Sequence, residues 1–309
     1  MSKHVQPPSL VTTLAGIAMD NPVMVASGTF GYGPEYADLV DLNRLGAIVV
    51  KGICLEAWNG NNIPRMIEVR GGLINAIGLQ GPGVDGFVET YMPFLRQFDT
   101  PVIVNIWGRD EAEYEEVAAR FDDVDGIAGL ELNISCPNVK EGGIAFGTDL
   151  TMASDLIGRV RKRTSLPLIP KLAPNVPQVG LFARAAEEAG ADAISLINTL
   201  PAMVIDIETR RPVLANRVGG LSGPAIHPVA VKQVWEAAQA VSIPVIGMGG
   251  IETAADAIEF MIAGASAVAV GTANFTDPTT VVRVIDGMAD YLVRHDMATV
   301  GELVGSICE

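Results

Sequence analysis

The segment Asn133-Ile-Ser-Cys-Pro-Asn138 sets a thiol between two carboxamides. Carboxamides can donate to and accept from a planar, amide-rich ring, and a thiolate beside such a ring can take a proton from it. A lone cysteine is more often a small packed hydrophobe, yet Pro137 and the polar neighbours do not suit a packed strand interior. Cys136 is therefore read as a base. Two lysines stand at the ends of apolar runs, Lys51 in Val49-Val-Lys-Gly52 and Lys171 in Pro170-Lys-Leu-Ala173. An ammonium there is costly to desolvate unless an anion or an electron-rich ring faces it; a snorkelling stem is the plainer alternative. Asn75, Asn105, Asn133, Asn138 and Asn198 fall at strand ends or in the loops beyond. Asparagine is unfavourable inside strands, so the set suits recognition of a heterocycle's C=O and N–H groups. Near the far end, Gly247-Met-Gly-Gly250 and Val270-Gly-Thr272 expose backbone N–H groups, as a phosphate cradle requires. The three histidines, His4, His227 and His295, are scattered without acidic partners at ligand spacing, and no metal site is assigned.

The elements that must carry these groups follow from periodicity. Short runs rich in Val, Ile and Leu occur at 23–26, 47–51, 102–106, 129–134, 168–172, 193–197, 245–248 and 267–271. Amphipathic stretches lie between them, such as 111–121, 178–189, 228–240 and 253–263. Eight strand-then-helix units predict an α/β protein of the (β/α)8 TIM-barrel class, as one domain over residues 1–309. No Gly-x-Gly-x-x-Gly follows the first strand, which speaks against a Rossmann fold. The first eighteen residues or so, with Leu14-Ala-Gly-Ile-Ala-Met-Asp-Asn-Pro22, read as a small hairpin closing the barrel floor. Three connections, 52–82, 135–149 and 198–227, are too long for turns. All follow strands and so lie on the carboxyl face, where barrels hold their chemistry.

Composition narrows the partners. The net charge of −15 repels nucleic acid and anionic membrane surfaces. Cys54, Cys136 and Cys308 are far apart and odd in number, so neither a disulfide framework nor a Cys-x-x-Cys site can form locally. The longest uncharged stretch, 260–276, is broken by Gly264 and Gly271 and reads as a helix end, a turn and a strand rather than a membrane span. A cytoplasmic location is the expectation.

With these motifs in hand, the chain resembles the class 1 dihydroorotate dehydrogenases from about residue 10 to its end. The likeness runs through Ala26-Ser-Gly-Thr-Phe-Gly31, Val50-Lys-Gly-Ile53, Pro64-Arg65, Asn75-Ala-Ile-Gly-Leu-Gln80, Asn133-Ile-Ser-Cys-Pro-Asn138, Gly220-Leu-Ser-Gly-Pro-Ala225, Gly247-Met-Gly-Gly250 and Val270-Gly-Thr272. Cysteine rather than serine at 136 resembles class 1, and Lys51-Gly52 with the Asn75 and Gly220 segments resembles the 1B form. Two positions depart from the pattern: Gly81 stands where Asn is commoner and His227 where Lys is usual, both judged peripheral to the reacting atoms.

The resemblance implies oxidation of (S)-dihydroorotate to orotate in de novo pyrimidine biosynthesis, Cys136 removing the C5 proton while hydride leaves C6 for FMN. It implies FMN binding by Ala26, Ser27, Gly28, Lys51, Asn105, Asn133, Lys171, Ile197, Gly223, Gly249, Gly250, Gly271 and Thr272. Substrate would meet Lys51, Asn75, Ile77, Gly78, Leu79, Asn133, Asn138, Asn198 and Thr199, with Cys136, Lys51 and Lys171 in catalysis. It further implies a homodimer, joined by a subunit carrying FAD and a [2Fe-2S] cluster into a heterotetramer that passes electrons to NAD. The alternatives are a fumarate-linked class 1A enzyme, a dihydropyrimidine dehydrogenase-like FMN barrel, a flavin-free phosphate-binding barrel, or a non-catalytic assembly subunit.

Overall fold

A computed structural model describes residues 8–135 and 143–308, with backbone alone for residues 143–145. Eight parallel strands close a barrel: Val23–Val25, Ala47–Ile53, Val102–Ile106, Gly129–Asn133, Leu168–Lys171, Ile194–Leu196, Val245–Met248 and Ala267–Val270. Each pairs with the next in sequence, and the eighth returns to the first through Val268 opposite Val23. The predicted strands are all present. Their ends shift by a residue or two, most at the second, which runs on to Ile53 and so carries Lys51 and Gly52 within it.

Alternation along the strands sorts the side chains. Val50, Val104, Leu130, Leu132, Val268 and Val270 face outward into a core shared with the surrounding helices. The opposite parity brings Met24, Ala47, Val49, Ile103, Ile169, Ala193, Ile246 and Ala267 together inside the barrel. The same parity carries Lys51, Asn105, Glu131, Asn133, Lys171 and Ser195 nearer the carboxyl end. The expected hairpin, Thr12–Leu14 with Ile17–Met19, plugs the opposite end through Leu14, Ile17 and Met19.

Helices pack outside, among them Glu111–Asp122, Leu150–Arg161, Val179–Glu188, His227–Ala238, Ala254–Ile262 and Thr280–Arg294. Side-chain caps set several starts. Asp110 accepts from the Glu113 amide, Asp149 from that of Met152, and Thr253 with Asp256 forms a reciprocal capping box.

Two of the long connections are not irregular loops. Met66–Val69 and Gly72–Asn75, from the connection after the second strand, join Leu200–Met203 and Val218–Ser222, from that after the sixth. They form one antiparallel sheet over the barrel mouth, with Asn75 opposite Gly220. Periodicity within either segment alone could not reveal it, because each hairpin finds its partner about 150 residues away.

Candidate active site

The carboxyl ends of the strands and the antiparallel sheet enclose a cavity of about 360 Å³, within the range of small-molecule sites. The first strand contributes Ala26, Ser27 and Gly28, the second Lys51, the third Asn105, the fourth Asn133 and the fifth Lys171. After the sixth come Ile197, Asn198 and Thr199, and from the sheet and its loop Asn75, Ile77, Gly78, Leu79 and Gly223. Gly249, Gly250, Gly271 and Thr272 line it from the seventh and eighth strand ends. Every site residue named from the sequence lines this cavity except Cys136 and Asn138, which lie outside the described residues.

At the floor is a buried polar network. Glu131, 2% exposed, accepts from Asn105 Nδ2 at 2.6 Å and from Ser195 Oγ at 2.8 Å. Lys171 Nζ, also buried, lies 3.7 Å from Glu131 Oε2 and 3.3 Å from Ser27 Oγ. Asn105 Oδ1 in turn accepts from Asn133 Nδ2 at 3.3 Å, which leaves Asn133 Oδ1 buried without a partner. The ammonium is paired with a carboxylate, the arrangement that makes its burial tolerable. Neither Glu131 nor Ser195 was identified from the sequence. The signal was there: both share the inward parity of Asn105, Asn133 and Lys171 on neighbouring strands.

Lys51 sits higher, half-buried. Burial, reinforced by the nearby Arg65 guanidinium, holds its ammonium below the ordinary lysine range, while Glu35 acts in the opposite sense. Arg65, a cavity-lining residue given no role from the sequence, is itself held by Gln80 Oε1 at 2.5 Å. Among the described cysteines, burial first and then the charge of Glu113 push the Cys54 thiol up to about 12. Its Sγ is spent on the Glu56 carbonyl at 3.1 Å, so it is no nucleophile.

The glycine end has the form of an anion cradle. Gly223, Gly249 and Gly250 have φ values of +102°, +137° and +67°, and a Cβ on Gly250 would lie 2.8 Å from the Gly223 carbonyl oxygen. Only glycine accommodates both demands. Thr272 Oγ1 donates to Ser222 Oγ at 2.8 Å. His227, one of the two departures, is bound into this end: its Nδ1 is 3.0 Å from the Gly249 carbonyl and its Nε2 is 2.9 Å from Glu259 Oε2. The other, Gly81, exchanges both backbone hydrogen bonds with Trp58, and a Cβ there would meet the Gly52 carbonyl at 2.9 Å.

A closed (β/α)8 barrel with an anion cradle at one side of its mouth and buried amide and ammonium groups below belongs to the class of barrel enzymes that bind a phosphate-bearing heterocycle. The family model described as dihydroorotate dehydrogenase matches residues 9–292. A protein of Citrifermentans bemidjiense named dihydroorotate dehydrogenase B (NAD(+)), catalytic subunit, is 55% identical over 302 residues, covering 98% of this chain and 99% of that one. Proteins of the same name from Geotalea uraniireducens and Desulforamulus reducens are 55% identical over 300 residues and 54% over 298, covering 97% and 96% of this chain and 98% of each relative. The chain belongs to the dihydroorotate dehydrogenase family. Among the described residues, no helix is long and apolar enough to cross a membrane.

Proposed function

We propose that this chain is the FMN-carrying catalytic subunit of an NAD-linked, class 1B dihydroorotate dehydrogenase, oxidising (S)-dihydroorotate to orotate in pyrimidine biosynthesis. One observation carries the reading: a single cavity joins the glycine cradle to the Lys171, Asn105 and Asn133 floor, with Lys51 and further carboxamides along the same wall. The residues present fit FMN. The cradle is closed to any Cβ at Gly250, and the buried, unpartnered Asn133 Oδ1 beside a buried ammonium offers one acceptor and one donor to an amide-like ring edge.

Gly249, Gly250, Gly271 and Thr272 would hold the phosphate. Ala26, Ser27, Gly28, Lys51, Asn105, Asn133, Ile197, Gly223 and Lys171 would hold the rest, with Lys171 supplying positive charge beside the ring. When bound, FMN supplies the two-electron acceptor. Lys51 would pair with the substrate carboxylate, and Asn75, Ile77, Gly78, Leu79, Asn133, Asn138, Asn198 and Thr199 would fix the pyrimidine ring against it. Cys136 would take the C5 proton; an ordinary thiol pKa of about 8.5 makes the base most effective on the alkaline side of neutrality.

The names of the relatives, which specify NAD(+) and a catalytic subunit, support a second subunit in the working enzyme. We place FAD and a [2Fe-2S] cluster there, in a heterotetramer built on a homodimer of this chain. Residues 1–309 act as one FMN-binding domain in the cytoplasm.

The test is anaerobic addition of dihydroorotate to the purified chain while the visible spectrum is recorded. The flavin bands should bleach, and Cys136→Ala should stay yellow yet bleach at least about 100-fold more slowly. A colourless protein, or an unchanged rate in the variant, refutes the cofactor or the base respectively.

A further inference from the structure

Glu131 does not line the cavity, yet every polar group of its floor traces back to it. Both carboxylate oxygens act as acceptors, Oε2 from Asn105 Nδ2 and Oε1 from Ser195 Oγ. A carboxylate cannot donate, so Asn105 must turn its NH2 group toward it and its oxygen away. That oxygen takes the Nδ2 of Asn133, and the Asn133 oxygen is then the group left over. The orientation of two cavity-lining amides thus descends from one buried anion. The same anion lies 3.7 Å from Lys171 Nζ, the buried cation of the floor.

We propose that Glu131 is a positioning residue with two linked effects, resting on the reading that FMN and a pyrimidine occupy this cavity. Through Asn105 it fixes the polarity of the amide pair, so that Asn133 offers an acceptor and the site selects a ligand bearing an N–H donor there. Through Lys171 it balances a charge beside the flavin, and so sets how readily the flavin accepts electrons. Ser195 supports it from the far side.

Glu131→Gln tests this with almost no change of shape. The neutral amide lets the relay reverse and leaves the Lys171 charge unbalanced, which favours the negative charge gained on flavin reduction. The two-electron midpoint potential of the bound flavin should rise by the equivalent of at least tenfold in the reduction equilibrium, about 30 mV, and orotate should bind at least tenfold more weakly. Ser195→Ala keeps the carboxylate and its bond to Asn105, so both quantities should move less than threefold. A flavin-loaded Glu131→Gln protein with unchanged potential and orotate affinity overturns the proposal, as does a Ser195→Ala shift as large as that of Glu131→Gln, which would mark a packing role. If Glu131→Gln loses flavin, the wild-type holoenzyme decides: with 15N-labelled asparagine, the Asn105 side-chain NH2 should show the downfield proton shift of a bond to a carboxylate, and orotate should leave the Asn133 NH2 without a new donor shift. The reverse pattern overturns it. A wild-type chain that binds no flavin at all counts instead against the proposed function.

Discussion

Replacing Lys171 by methionine separates what the buried pair does for folding from what it does for flavin chemistry. At 3.7 Å, and with an effective dielectric of about 20, the Lys171–Glu131 attraction is about 4 kcal/mol. Removing one partner of a buried pair costs about 3–5 kcal/mol, because the other charge is stranded. Glu131 keeps its bonds from Asn105 and Ser195, so the lower end, about 3 kcal/mol, applies. For a chain of 309 residues the unfolding entropy, about 2.1 cal/mol/K per residue, converts this to a fall in Tm of about 5 °C. Lys171→Met combined with Glu131→Gln no longer strands a charge and should recover most of that loss. It should not recover the rate at which dihydroorotate bleaches the flavin, since the cation remains absent. Calorimetry and anaerobic stopped-flow absorbance on the wild type, Lys171→Met, Glu131→Gln and the double variant read the two quantities separately. A wild-type Tm in Lys171→Met would refute the stability argument, and a wild-type bleaching rate in the double variant would refute the role of the charge.

Cys54 should be almost inert to iodoacetamide at pH 8. With its thiol at about 12, the thiolate fraction is about 1 in 10,000, about 2,000-fold below an ordinary thiol; peptide mass mapping that finds Cys54 labelled as fast as the exposed Cys308 would contradict this. The same shift gives stability a pH dependence. Because the folded pKa is raised, the contribution is complete below about pH 8.5 and is lost as pH climbs toward 12, about 2 kcal/mol by pH 10. Denaturant titrations should show that alkaline loss shrinking in Cys54→Ala. In the hairpin at the opposite end of the barrel, Gly16→Ala meets no atom within 4 Å and should cost only the left-handed strain at φ +84°, about 1 kcal/mol. At the cradle, Gly250→Ala adds a collision with the Gly223 carbonyl at 2.8 Å and should in addition weaken FMN binding at least tenfold, measured by flavin fluorescence; equal affinities in the two variants would remove the cradle from phosphate binding.

What the residues declare by themselves is whatever depends on local pattern. Short runs rich in Val, Ile and Leu, separated by amphipathic stretches, marked all eight barrel strands, and polar residues at the ends of those runs marked Lys51, Asn105, Asn133 and Lys171, because a parallel strand covered on both faces is apolar until it reaches the mouth of the barrel. Glycines at the seventh and eighth strand ends announced the cradle: positive φ and close approach exclude other residues at Gly249 and Gly250. Pairing across the chain was beyond such reading. The antiparallel sheet that sets Asn75 opposite Gly220 joins two segments whose partners are remote in sequence, and register between distant strands is decided by the packed whole. Glu131 shares the inward parity of Asn105 and Lys171, but parity alone does not say which groups will meet it. Only the closed barrel puts Asn105, Ser195 and Lys171 around it, and there a charge that would be costly alone becomes the group that orders the floor of the site.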